Sequence, residues 1–213
     1  QARDALGTLE KARQKFAPTF TLEYFTGLAY SRQKIYAEAV RHFVAAEVIA
    51  KATAPEQLNE SFYFRLGAAS ERAGDCEQAE RYFEKCLELA PNSAETCNYL
   101  GYMWAERGVK LERARELIEK AVKAEPKNAA YLDSLGWAYF RQNKLDLAEP
   151  NLQAAAAANA RDSAIQEHYG DLLEKLGRYD EAIRAWEKAL AGDSEQVDRS
   201  GIQKKIKSAT GKM

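Results

Sequence analysis

Residues 129–157 read AAYLDSLGWAYFRQNKLDLAEPNLQAAAA. Here Leu132, Leu135 or Gly136, and Tyr139 stand three or four residues apart, and so do Leu145, Ala148, Leu152 and Ala155. That spacing gathers each set on one face of a helix. Asn143 lies between the two sets, where an asparagine suits the left-handed conformation that ends a helix. The stretch therefore predicts two short antiparallel helices, A and B, with their apolar faces against each other. Gly136 and Ala148 are small, which lets the two backbones approach; larger side chains would push them apart.

The arrangement returns along the chain. Aligned on Gly27, Gly67, Gly101, Gly136 and Gly170, the sequence repeats at intervals of 40, 34, 35 and 34 residues. With each glycine counted as position 8 of a unit, position 20 is Ala39, Ala79, Ala114, Ala148 and Ala182. Position 24 is Phe43, Phe83, Ile118, Leu152 and Trp186, and position 27 is Ala46, Cys86, Ala121, Ala155 and Ala189. One extra residue near Val109 keeps the third unit in step. The turn at position 15 is Lys34, Gly74, Gly108, Asn143 and Gly177, and Pro91 and Pro126 stop helix B in two units. A period of this length marks stacked units, none of which buries its apolar face alone.

This pattern resembles the tetratricopeptide repeat (TPR) family, both in residues 129–157 and in EHYGDLLEKLGRYDEAIRAWEKAL at residues 167–190. The resemblance covers roughly residues 20–196. It implies an all-α fold, a right-handed superhelix (α-solenoid) of antiparallel helix pairs that holds peptides or protein partners on its concave side. The expected units are 20–59, 60–93, 94–128, 129–162 and 163–196. Residues 1–19, with Ala5, Leu9, Ala12 and Pro18, read as helix B of a preceding half-repeat, which implies further repeats upstream. The extra residues around Ala52–Asn59 predict a longer helix B or a longer loop. Pro150 predicts a distorted first turn in a helix that starts with Asp146 as its N-cap. Residues 197–213 read as a capping helix and tail, with Ile202 and Ile206 on one face.

By analogy with the family, partners would meet the side of helix A that points away from helix B. The partner-binding residues expected there are Tyr24, Phe25, Leu28, Phe64, Arg65, Tyr99, Tyr102, Trp137 and Phe140. The fifth unit adds Glu167, His168 and Asp171, with His168 equally readable as a partner contact or a solvated surface residue. Exposed aromatic rings favour protein partners because they bury much area at little entropic cost. Position 13 is Arg32, Arg72, Glu106, Arg141 and Lys175, four cations of five, suited to the negative end of a helix dipole or to a basic rim. The carboxylate clamp of co-chaperone TPRs needs Lys and Asn at set positions in three successive units, and no run here supplies them. A narrower likeness, in NYLGYMWAERG (98–108) and in Asp133-Ser134-Leu135-Gly136-Trp137, is to TPR lipoproteins of the bacterial envelope. Some of those are adaptors for proteases; the likeness brings no binding residues with it.

The 213 residues hold 31 Lys and Arg against 32 Asp and Glu, a net charge of -1, which argues against a nucleic-acid binder. The longest apolar run is Ala154–Ala158, too short to span a bilayer. Cys76, Cys86 and Cys97 form no CxxC pair, and His42 and His168 lie far apart, so neither a metal site nor a cofactor is expected. Each cysteine has a packing explanation, and no phosphate-binding or hydrolase motif occurs. Glu112 and Glu116 read as an exposed face. The chain begins with Gln1 and reads as an excised or processed piece, cytoplasmic or, if a leader was removed, periplasmic or associated with an outer membrane. The expected function is a non-catalytic adaptor for a protein or peptide. The alternatives are an accessory domain of an enzyme or protease complex and a homo-oligomerising module.

Overall fold

The computed structural model of the chain describes residues 2–192 and 197–213, with side chains from residue 6 onward. Two units emerge, residues 1–96 and 97–213. The first holds α1 (Ala2–Lys15), α2 (Phe20–Arg32), α3 (Tyr36–Thr53), a 3-10 turn at Pro55–Gln57, α4 (Glu60–Arg72) and α5 (Cys76–Leu89). Helix α6 (Ala94–Arg107) crosses the boundary, which falls after Thr96. The second unit continues with α7 (Leu111–Ala124), α8 (Ala129–Arg141), α9 (Leu145–Ala158), α10 (Ser163–Lys175), α11 (Tyr179–Ala191) and α12 (Arg199–Thr210). The described residues contain no strand, and the architecture is an α-solenoid of helix pairs.

Each turn from helix A to helix B has the same construction. Lys34, Gly74, Gly108, Asn143 and Gly177 all have positive φ, between 59° and 89°. The next residue then donates its N–H five positions back, as from Ile35 to Tyr30, Asp75 to Ser70 and Arg178 to Leu173, at 2.9–3.0 Å. This satisfies a carbonyl that the helix end would leave bare. In the third turn Lys110 is left-handed too, with φ of 47°, and so absorbs the extra residue at Val109. The A helixes begin on side-chain caps: Thr19, Asn59, Asn128 and Asp162 accept backbone N–H groups of the first turn.

Inside the pairs, the glycines meet a large side chain of helix B. A Cβ at Gly27, Gly67, Gly101, Gly136 or Gly170 would come within 2.5–2.9 Å of Phe43, Phe83, Ile118, Leu152 or Trp186. Every residue at positions 20, 24 and 27 of the five units has no exposed surface. Cys86 is among them, and Cys97 is equally buried; burial pushes the Cys86 thiol up to about 12 and raises that of Cys97. Cys76 is half-buried, and none of the three is in a disulfide.

The irregular segments resolve individually. The extra residues after the first pair both lengthen α3 to 18 residues and form the 3-10 turn. Lys144, rather than Asp146, is the N-cap of α9, and the helix continues through Pro150. Pro150 lies at the sixth helical residue, past the first turn, where it leaves one carbonyl unpaired by a backbone N–H. Ala5 and residues 193–196 lie outside the described side chains. In α12, Ile202 and Ala209 are fully buried against Leu173, Ala182 and Trp186, with Val197 and Ile206 packed beside them. Among the described residues no helix is long and apolar enough to cross a membrane.

Three outcomes follow for stability. In Gly101→Ala the new methyl group would meet the Ala114 carbonyl at 2.8 Å as well as Ile118. A backbone atom cannot rotate away, so the change should destabilise by about 1–3 kcal/mol despite alanine's better helix propensity. Gly74→Ala meets nothing nearby and should cost only about 1 kcal/mol, from its positive φ. Ile202→Ala should cost about 2–5 kcal/mol by emptying the seam under α12. Urea titrations followed by circular dichroism check all three.

Candidate functional site

The nine expected partner-binding residues divide between the two units. In the first, Tyr24 is half-buried in an aromatic cluster, stacked on Phe20 at 5.4 Å and within 5.8–6.0 Å of Phe43 and Phe62. Phe25 is 51% exposed, and Arg65 is also exposed. Leu28 and Phe64 are half-buried, with Phe64 against Phe83 at 5.7 Å. Beneath this surface Glu23 is buried, held by Arg13 Nε at 3.1 Å and by His42 Nδ1 at 2.6 Å. Among the described residues His42 Nε2 is buried without a hydrogen-bond partner. A second buried carboxylate, Glu47, accepts from Tyr63, Lys51 and Lys85. Burial pushes against its charged form, but the two lysines hold its pKa below the usual value.

The second unit contains a cavity of about 400 Å³. Its wall is formed by Tyr102 and Glu106 of α6, Trp137 of α8, Ala164, Glu167, His168 and Asp171 of α10, and Val197, Asp198 and Lys205 at α12. Tyr102 is half-buried, as are Tyr99 on the same helix and Phe140 on the helix of Trp137. Trp137 is not the exposed ring expected of it. Only 7% of its surface is accessible, because it is stacked between His168 at 4.1 Å and Phe140 at 4.9 Å. Its indole N–H donates to Glu106 at 2.7 Å.

His168 is likewise not a solvated surface residue; it is buried, with Nδ1 2.9 Å from Asp133. Burial is the largest influence on its pKa and opposes the charged ring. The attraction of Asp133, joined by Glu106 and Asp171, overcomes it and carries the pKa above the ordinary value. Opposite, the Lys205 ammonium donates to Glu167 at 2.8 Å and to both oxygens of Asp171 at 2.7 and 2.8 Å. Asp171 also accepts from Trp186 Nε1 at 2.9 Å. Burial nevertheless keeps the Asp171 pKa above the usual carboxylate value.

Helical spacing brought out Tyr102, Trp137, Glu167, His168 and Asp171 as helix-A surface residues. It missed Glu106, Asp133 and Lys205. The signal for Glu106 was present: it is the one anion in a column of cations. Asp133 and Lys205 join the site only through tertiary packing, 35 and 34 residues from the groups they bind.

A tetratricopeptide repeat family model matches residues 61–93, and a second of the same description matches 110–152 and 134–197. Together they cover more than half of the chain, and the chain belongs to the tetratricopeptide repeat family. A TPR repeat-containing protein of Pseudomonas aeruginosa is 36% identical over 117 residues, 55% of this chain. The chain spans 19% of that relative's length, and 7% and 10% of two other relatives. A photosystem I assembly protein, Ycf3 of Prochlorococcus marinus, is 26% identical over 152 residues, 69% of this chain and 76% of that one. Among solved structures, a tetratricopeptide repeat protein from Parabacteroides merdae matches 99% of this chain and 81% of its own at a TM-score of 0.80 and 18% identity. PilW, a type IV pilus biogenesis factor, matches 91% and 86% at 0.73 and 20% identity. At these identities the structures speak for the fold.

The raised pKa of His168 has a definite sign for stability. Its charged form is favoured in the folded state, so the contribution is complete below the unfolded value near 6.5 and is lost as pH rises through the higher folded value. The groups facing the ring are Asp133 of α8, Tyr102 and Glu106 of α6, Asp171 and Glu167 of α10 and Lys205 of α12. In a proton NMR titration one of the chain's two histidines should titrate above 6.5, and Asp133→Asn should bring that value down. An unaltered titration in the variant would remove Asp133 as the cause.

Proposed function

We propose that the chain is a non-catalytic interaction module that holds a segment of another protein on the outer faces of its A helices. The observation that carries this reading is what pair packing leaves over. Glycine and alanine, a large residue from helix B and, in three pairs, a leucine of helix A lie in the interior of the pairs. The other side of helix A is still rich in apolar and aromatic residues, with Phe25 exposed and Tyr99 and Tyr102 half-buried; Tyr24, Leu28, Phe64 and Phe140 pack against the core with one side and are also only half-buried. Surface of that kind is stabilised by being covered. The likeness to an assembly protein supports a role in bringing proteins together.

The second reading, an accessory domain of a larger protein, is supported by the small share of the Pseudomonas relative that the chain spans. In that case the module would act on partners of its host chain, through the same faces.

Affinity purification followed by mass spectrometry should recover a specific partner. Phe25→Ala and Tyr102→Ala, made together, should reduce its recovery at least tenfold with helicity unchanged. Trp137→Ala is a poor probe, because the ring is part of the fold. Full recovery with the Phe25 and Tyr102 variant would sink this surface. Light scattering across concentration separates hetero-partner binding from self-association.

A further inference from the structure

We infer that the cavity in the second unit is a receptor for one basic side chain, an arginine or lysine of the partner polypeptide. This rests on the proposed role as an interaction module and names the chemistry it would read. Four carboxylates line the cavity, Glu106, Glu167, Asp171 and Asp198, against a single lysine, Lys205. Even with His168 charged, the wall remains negative. The volume of about 400 Å³ has room for a side chain of that size.

The wall also shows what its carboxylates accept. Lys205 places an ammonium group on Glu167 and Asp171 from a helix that joins the A-helix surface last in the chain. It is an internal cation bound in the manner expected of an external one. Asp171 is fully engaged by Lys205 and Trp186, so it serves as a fixed part of the wall. Among the described residues Glu106 accepts from the Trp137 indole at Oε2 and Glu167 from Lys205 at Oε1, and an incoming donor would be received by the other oxygen of each. Tyr102 supplies an aromatic ring beside them, 6.1 Å from the His168 ring, and a cation close to such a ring gains further attraction. Glu167 is half-buried and Glu106 exposed, and charge-assisted hydrogen bonds from a guanidinium or ammonium to carboxylates are the strong kind. An anionic partner group would meet repulsion from the same four residues, which accords with the absence of the carboxylate clamp.

The probe is a labelled hexa-arginine peptide, with the hexa-citrulline peptide as its neutral isostere, titrated into the whole chain at physiological salt. The expected result is saturable binding of the arginine peptide that shifts the Trp137 indole and His168 ring resonances, with no binding of the citrulline peptide. Glu106→Gln with Glu167→Gln should weaken binding at least tenfold and leave the helical spectrum unchanged. Glu112→Gln with Glu116→Gln removes the same charge from an exposed face of α7, and should leave binding within twofold. Equal weakening by both pairs, or resonance shifts confined to other residues, would overturn the cavity as a receptor. So would failure of the arginine peptide to bind. If the Phe25 and Tyr102 variant still loses its partner while the arginine peptide does not bind, the interaction role stands and only the chemistry assigned to this cavity falls.

Discussion

The structure depends on the contact between a glycine of one helix and a large apolar side chain of the next. At Gly170 the approach to Trp186 is so close that a methyl group has no room. Because dispersion and burial both fall steeply with separation, an added carbon at that point would loosen the whole seam rather than one contact. The seam then decides what helix A is free to do. Its inner face is spent on the pair, with Leu66, Leu100 and Leu135 beside the glycines. Its outer face is not needed to hold the pair together, so tyrosine, glutamate and aspartate can stand there without weakening it.

The repeat, the turns and the seam were all legible in the sequence because they are local and periodic. A glycine at position 8, an alanine at 20 and a left-handed residue at 15 each have one physical reason, stated within a few residues of chain. Lys34 shows how strong that periodicity is: a lysine adopts φ of 61° where three other units place glycine and one asparagine. The site was legible only in part, for the opposite reason. Spacing put His168 on the outer face, but its burial comes from Asp133 and Trp137 of the preceding pair. Spacing put Trp137 on that face too, yet a ring between two other rings is no longer surface. Lys205 could be placed on a helix from its sequence, but only the packing of α12 brings it to Glu167 and Asp171.

Charge is handled differently in the two units. In the first, the buried carboxylates Glu23 and Glu47 are each met by donors on neighbouring helices, and removal of one partner would leave an uncompensated charge. Such pairs fix which helices adjoin without adding much net stability. The exposed pairs, such as Arg41 with Glu38, contribute far less. In the second unit four carboxylates face one lysine around a cavity, so anions outnumber cations there although each carboxylate has an internal donor. An excess of one sign in a partly enclosed wall is unfavourable in the unbound chain, since each charge loses solvent and gains a like neighbour. That cost is reduced by Lys205 and by the proton that His168 favours, but it is not removed.

Helix α12 therefore has two roles set by two of its faces. Ile202 and Ala209 cover the apolar face of the fifth pair, against Leu173, Ala182 and Trp186. Lys205, one step round the helix from Ile206, closes one side of the cavity and sets its charge. A cap chosen only to keep the end soluble would need polar residues on its outer side and nothing more. A lysine that reaches two carboxylates of α10 ties the cap to the binding face, so the end of the stack and the wall of the cavity are one construction. Any change that shifts α12 alters the space beside Tyr102 and Glu106 with it.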